Sequence, residues 1–194
     1  MYQASCRFVF LRVLGWKYKV SIPDFPKTII CVAPHTSNWD FVIAQLFYGA
    51  IGRRAGFLMK KEWFFFPLNI FWKAIGGIPV DRTKKTSLVE QIAEQAKRKN
   101  QFHLAITPEG TRKRNPDWKK GFYYIALNAN IPIAVYAIDY RKKEIYGEHF
   151  FTPSGNVEKE MAFIKQYYCS FKDGAKYPQN FSVGETVKSS DSCS

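Results

Sequence analysis

Short apolar, β-branched runs that give way abruptly to polar turns, and then to segments of helical spacing, constrain this chain more than any other feature. Residues 28–32 (Thr-Ile-Ile-Cys-Val) are the clearest case. Five such residues without polar alternation describe a strand covered on both faces, and one too short to be a helix. The stretch that follows is Ala33-Pro34-His35-Thr36-Ser37-Asn38-Trp39-Asp40, and a second apolar run opens at Phe41. A helix is therefore predicted to start between Ser37 and Asp40 and to run over 39–52, closing at Gly52. The pattern then repeats, with strands predicted at 56–59 and 102–107, helices at 87–100 and 121–130, an apolar run at 131–138, an edge strand at 143–151 and a last helix at 156–171. This alternation specifies an α/β fold, a mostly parallel central sheet flanked by helices. The length of 194 residues and the lack of linker composition fit one domain spanning 1–194.

Three segments stand apart from that alternation. Residues 5–20 set Phe8, Phe10, Leu11, Val13 and Leu14 against Arg7, Arg12, Lys17 and Lys19. That describes an amphipathic N-terminal helix, suited either to a membrane interface or to the domain's own core. Residues 63–75 are aromatic on several sides, and such a segment needs burial on more than one face, in an apolar cavity, a bilayer or the core. From Lys172 the chain turns polar, and 182–194 read as a loose tail.

Composition narrows the partners. The formal charge is +13 with the cations spread along the chain, and aromatics make up 17% of residues. Such a surface seeks an anion, whether a phosphorylated substrate, an anionic bilayer or nucleic acid. No P-loop, Rossmann glycine pattern or RNA-binding aromatic signature supports the last of these. None of the four cysteines forms a Cys-x-x-Cys pair, and no histidine stands at ligand spacing, so no metal site or disulfide framework is expected and a reducing compartment fits. No run reaches spanning length and no cleavage site follows the N-terminus, so a cytoplasmic protein, peripheral on the cytoplasmic membrane face, is expected.

The turn at His35 suits general-base chemistry. A helix starting inside it can bring Asp40 back against the imidazole, fixing one tautomer and leaving the other nitrogen as a proton acceptor. A second turn, Pro108-Glu109-Gly110-Thr111-Arg112, also leaves a strand end. Its glycine, hydroxyl and guanidinium offer close approach, a donor and bidentate charge, which suit a phosphate monoester. Arg82, after Gly76-Gly77-Ile78-Pro79-Val80-Asp81, supplies a second cation if its strand end lies nearby. A carboxylate at Glu109 would repel phosphate and is expected to orient Arg112 or a substrate hydroxyl.

Taken together these stretches resemble the glycerolipid acyltransferase family. His35 to Asp40 is similar to its H-x4-D motif, and Gly77-Ile78-Pro79-Val80-Asp81-Arg82 to its second motif. Pro108 to Arg112 matches its P-E-G-T-R motif, and Ile131-Pro132-Ile133 resembles its apolar fourth. The order and spacing hold over about residues 28–140. The chain departs from the family at Thr107, where many members have Phe, and in lacking long N-terminal spanning segments. The resemblance implies a 1-acylglycerol-3-phosphate acyltransferase-like enzyme, with His35 and Asp40 catalytic and Arg82, Glu109, Gly110, Thr111 and Arg112 binding the acceptor phosphate. It implies acyl-CoA or acyl carrier protein as co-substrate, no bound cofactor, a phosphorylated lipid acceptor, contact with an anionic membrane surface, and a monomer. A non-enzymatic basic module binding anionic membrane or nucleic acid is the alternative from another class.

Overall fold

The computed structural model describes residues 2–80 and 87–184. Its centre is strand β2 (Lys27–Ala33), whose residues from Thr28 onward are all buried. It lies between β5 (Phe102–Ile106) and β6 (Ile133–Asp139), parallel to both. Beyond β6 come β7 (Glu144–Phe151), antiparallel to it, and β1 (Lys17–Val20), parallel to β7, giving the order β1-β7-β6-β2-β5. A separate parallel pair, β3 (Phe57–Lys60) and β4 (Gly77–Val80), lies against β5 through Gly56, whose N–H donates to His103 O at 2.7 Å. The sheet is thus mostly parallel, as the alternation of elements requires.

Period-two alternation along β2 divides the core in two. Ile29, Cys31 and Ala33 face one cluster, covered by α4 (Leu88–Arg98), α5 (Gly121–Ala129) and α6 (Val157–Cys169). Ile30 and Val32 face the other, covered by α1 (Tyr2–Phe8) and α2 (Trp39–Ala50). Local signals set the helix ends. Ser87 Oγ accepts from Glu90 N and the Glu90 carboxylate accepts from Ser87 N, both at 3.2 Å, so two orphan donors at the start of α4 are satisfied reciprocally. Asn130 takes the left-handed conformation (φ 52°) that closes α5.

Five expectations need correction. The N-terminal helix does not reach residue 20: α1 ends at Phe8, a π-helical turn covers Val9–Val13, and Lys17–Val20 form β1. Cys6 and Phe10 are buried against α2, so one side of this segment is core. β7 is not an edge strand, because β1 pairs along its outer side. The aromatic segment, which contains α3 (Leu68–Ala74), is not covered by the domain's own core: Phe66 is 78% exposed, and Trp63, Phe65, Ile70 and Phe71 are also exposed. The tail is anchored further than expected, since Phe181 and Val183 are buried and Trp118 Nε1 donates to Ser182 O at 2.8 Å. Residues 185–194 lie outside the described residues. Finally, Cys6 and Cys31 are free and buried, but Cys169 is disulfide-bonded, which spacing alone did not reveal.

Among the described residues no helix is long and apolar enough to cross a membrane.

Candidate active site

All the parallel strands at the centre point their C-terminal ends at one edge of the sheet, and two turns meet there. One leaves β2 and enters α2; the other leaves β5. Pro34 follows a cis peptide bond, and His35 comes immediately after it. The first turn of α2 is folded back on its own carboxylate: Asp40 Oδ2 accepts from Thr36 N and Ser37 N, each at 2.8 Å. Two backbone donors at a helix start are the natural partners of an aspartate there. The same Oδ2 lies 3.2 Å from His35 Nδ1, within ion-pair distance but without hydrogen-bond alignment. The other oxygen, Oδ1, accepts from the Tyr140 hydroxyl at 2.6 Å.

Tyr140 was not singled out in the sequence, since it lies 100 positions from Asp40 and only the pairing of β6 with β2 brings it to this edge. Burial, then the Asp40 hydrogen bond and charge, push its phenol well above the ordinary range, so it remains a donor. Its own N–H donates to Gly174 O at 2.7 Å. Gly174 packs so tightly that a Cβ would lie 2.7 Å from Asp139 Cγ. Removing the hydroxyl with Tyr140→Phe is expected to destabilise the protein by about 1.5–3 kcal/mol, the worth of a hydrogen bond to a charged group. The denaturant midpoint measures it; an unchanged midpoint would mean that Asp40 does not depend on this donor.

Glu109 is turned inward. It is 1% exposed, and its Oε1 accepts from His35 N at 2.6 Å. Burial, opposed by that hydrogen bond and assisted by the Asp40 charge, pushes its carboxyl up to about 8. Near neutral pH it is therefore mostly protonated and adds little negative charge beside the imidazole. The expected role in orienting Arg112 has no counterpart here: the carboxyl braces the histidine turn.

Gly110 makes this reversal. At φ +67° it takes a conformation that other residues rarely adopt, and its N–H donates to Thr107 O at 3.1 Å. Glu109 therefore points in while Arg112 points out. The loop beyond is braced by Asn115, whose Nδ2 donates to Glu109 O at 2.8 Å and whose Oδ1 accepts from Asp117 N at 3.0 Å. Lys119 N closes it on Pro108 O at 2.7 Å. An Asn two residues before an Asp is a readable turn signal, so Asn115 was open to sequence reasoning. Thr111 Oγ1 accepts from Lys113 N at 3.3 Å, and Arg112 is exposed with no ion pair to any described residue. His35, Asp40 and Glu109 are thus brought together, Gly110, Thr111 and Arg112 follow on the adjoining loop, and Arg82 lies outside the described residues.

The Acyltransferase family model matches residues 19–139, a span that holds both turns. The chain belongs to the acyltransferase family. Among relatives, this chain is 29% identical over 130 residues to the 1-acyl-sn-glycerol-3-phosphate acyltransferase of Haemophilus influenzae, covering 62% of this chain and 53% of that protein. It is 31% identical over 129 residues to the protein of the same name from Cocos nucifera, with 62% and 41% covered. The chain spans about half the length of the curated relatives it matches. The crystal structure of the 1-acyl-sn-glycerophosphate (LPA) acyltransferase PlsC from Thermotoga maritima superposes with a TM-score of 0.58 over 85% of this chain and 76% of that one. At 18% identity this likeness bears on the fold.

Proposed function

We propose that this chain, as one catalytic domain, transfers a fatty acyl group from an acyl thioester to a hydroxyl of a 1-acylglycerol-3-phosphate-type acceptor. The observation that carries the reading is the His35–Asp40 pair, 3.2 Å apart at a strand end, with the carboxylate fixed by two backbone N–H groups and a tyrosine hydroxyl. A carboxylate held on Nδ1 favours the tautomer with its proton there and leaves Nε2 as the acceptor.

The mechanism follows from those positions. Arg112 takes the acceptor's phosphate, assisted by the close approach that Gly110 allows, the Thr111 hydroxyl and Arg82, and holds the free hydroxyl toward Nε2. His35 removes the hydroxyl proton as the oxygen attacks the thioester carbonyl, and Asp40 stabilises the imidazolium. Collapse of the tetrahedral species expels the thiolate, which takes the proton from Nε2. The new ester bond replaces the thioester bond, and no acyl-enzyme forms. Glu109 acts as a positioning residue that fixes the His35 backbone. Acyl-CoA or acyl carrier protein supplies the acyl group, and the protein works as a monomer at the cytoplasmic face of an anionic membrane.

Incubation with an acyl-CoA and lysophosphatidic acid tests this directly. Mass spectrometry is expected to find the diacylated phosphate only when donor and acceptor are both present. Absence of product with either donor type, alongside salt-sensitive liposome or oligonucleotide binding, would favour a binding module instead. Arg112→Ala is expected to raise KM mainly for phosphorylated acceptors; an equal effect on an unphosphorylated monoacylglycerol would remove the phosphate role.

A further inference from the structure

The segment that follows α6 comes back over the histidine turn. It lies beyond residues 19–139, the span of the family match, yet two hydrogen bonds fix it to the site. Tyr140 N donates to Gly174 O at 2.7 Å, and Tyr177 N donates to Thr36 Oγ1 at 3.2 Å. Thr36 gives its own N–H to Asp40, so the segment is tied to the turn that carries the His35–Asp40 pair. Lys176 stands between these two anchors and is half-buried.

The Lys176 ammonium lies over two rings. Its Nζ is 5.3 Å from the centre of the Trp39 ring and 5.4 Å from that of Tyr140, distances at which ring faces attract a cation. Trp16 meets Tyr140 edge-on at 5.1 Å and holds that ring in place. Two neighbouring cations each have an acid, Arg141 with Asp173 at 3.6 Å and Lys142 with Asp139 at 3.9 Å. Lys176 forms no ion pair with any described residue. Asp40 does not serve it, since its oxygens accept from Thr36 N, Ser37 N and the Tyr140 hydroxyl. Partial burial costs the ammonium some of its hydration, and an anion placed beside it offsets that cost.

Tyr140 follows β6, whereas Arg112 lies on the loop after β5, and β2 with its histidine turn runs between those strands. Lys176 and Arg112, both without a carboxylate partner among the described residues, therefore flank His35 from opposite sides. Adjacent strands lie about 4.8 Å apart, so the two flanks are about 10 Å apart, a gap that two long cationic side chains close around one phosphate. A phosphate monoester carries about −1.5 to −2 charges at neutral pH, more than one guanidinium balances. We propose that Lys176 binds the acceptor's phosphate from the β6 side while Arg112 holds it from the β5 side. The acceptor is the source of that phosphate because its own stands only a few bonds from the reacting hydroxyl. In a thioester donor the phosphate lies at the far end of the pantetheine arm. The role rests on the acyl-transfer reading, but binding is measured without a donor, so either claim can fail alone.

The test is calorimetric titration of the whole chain with a water-soluble, short-chain lysophosphatidic acid, and separately with CoA. Lys176→Met keeps an unbranched side chain against the two rings and removes the charge. It is expected to weaken lysophosphatidic acid binding by about ten- to hundred-fold, the loss of one charge-assisted contact. Lys176→Arg, which keeps the charge, is expected to restore most of that affinity. Lys142→Met, which removes one exposed cation from the same side, is expected to bind within about two-fold of wild type. Circular dichroism checks folding, and Lys176→Gln, with the same expected loss, stands in if the methionine variant does not fold. Wild-type affinity in Lys176→Met, an equal loss in Lys176→Arg or in Lys142→Met, or no binding by wild type would each overturn the proposal. So would a loss of CoA affinity larger than that of lysophosphatidic acid, because the lysine would then serve the donor. Lysine-dependent binding in a wild-type protein that forms no diacylated product would uphold this site and remove the acyl-transfer reading.

Discussion

His35→Ala is expected to lower turnover by about 100- to 10,000-fold, the usual contribution of a positioned general base. The ring does little else that alanine would disturb. Its Nδ1 contacts Asp40, whose carboxylate keeps two backbone N–H donors and the Tyr140 hydroxyl without it. The backbone N–H of position 35 still reaches Glu109 after the substitution. The variant should therefore keep its fold and its KM for acceptor while losing kcat. Near-wild-type kcat in a folded variant would exclude His35 as the base, and a collapse of the thermal transition would mean that the ring is structural.

The second large effect is on stability against pH. An exposed glutamate titrates near 4.3, whereas burial holds the Glu109 carboxyl at about 8 in the folded protein. Between those values the native chain keeps a proton that the unfolded chain has released, so stability falls as pH rises through the window and levels off above it. The full shift corresponds to roughly 4 to 5 kcal/mol, an upper bound because local relaxation and water entry reduce it. Glu109→Gln preserves an oxygen acceptor for His35 N–H but does not titrate. Its stability relative to wild type is expected to improve steadily from about pH 4.5 to about pH 8. Denaturation curves for both proteins across this range measure the difference. Parallel pH profiles would show that Glu109 does not hold its proton.

The fold was legible where burial is written locally. The run Ile29-Ile30-Cys31-Val32 announces a strand covered on both sides, and β2 is that strand. The Ser87 and Glu90 pair announces the start of α4. β1 was lost because Lys17-Tyr18-Lys19-Val20 is short and follows a helix. It becomes a strand through pairing with β7, more than a hundred residues away, which no local window contains. The same omission made β7 look like an edge.

The site divides in the same way. His35 and Asp40 are five positions apart, so a helix start between them brings the pair into one view. Tyr140 and Glu109 reach the turn from other strands. The direction of Glu109 depends on the left-handed turn at Gly110 and on a carboxyl that tolerates burial by keeping its proton. Charge alone makes Glu109 awkward beside a phosphate, and it carries no sign that the side chain faces inward. The exposure of the aromatic segment was hidden for a related reason. A run apolar on several sides asks for cover, but its spacing does not say whether core, cavity or bilayer supplies it.

Rapid mixing of the wild-type protein with excess acyl-CoA, followed by thiol detection, tests the central claim most directly. Direct transfer to a hydroxyl activated by His35 predicts no thiol until a lysophosphatidic acid acceptor is added, and then release matched one for one by diacylated product. A burst of thiol stoichiometric with enzyme in the absence of acceptor would mean an acyl-enzyme, and would contradict the account.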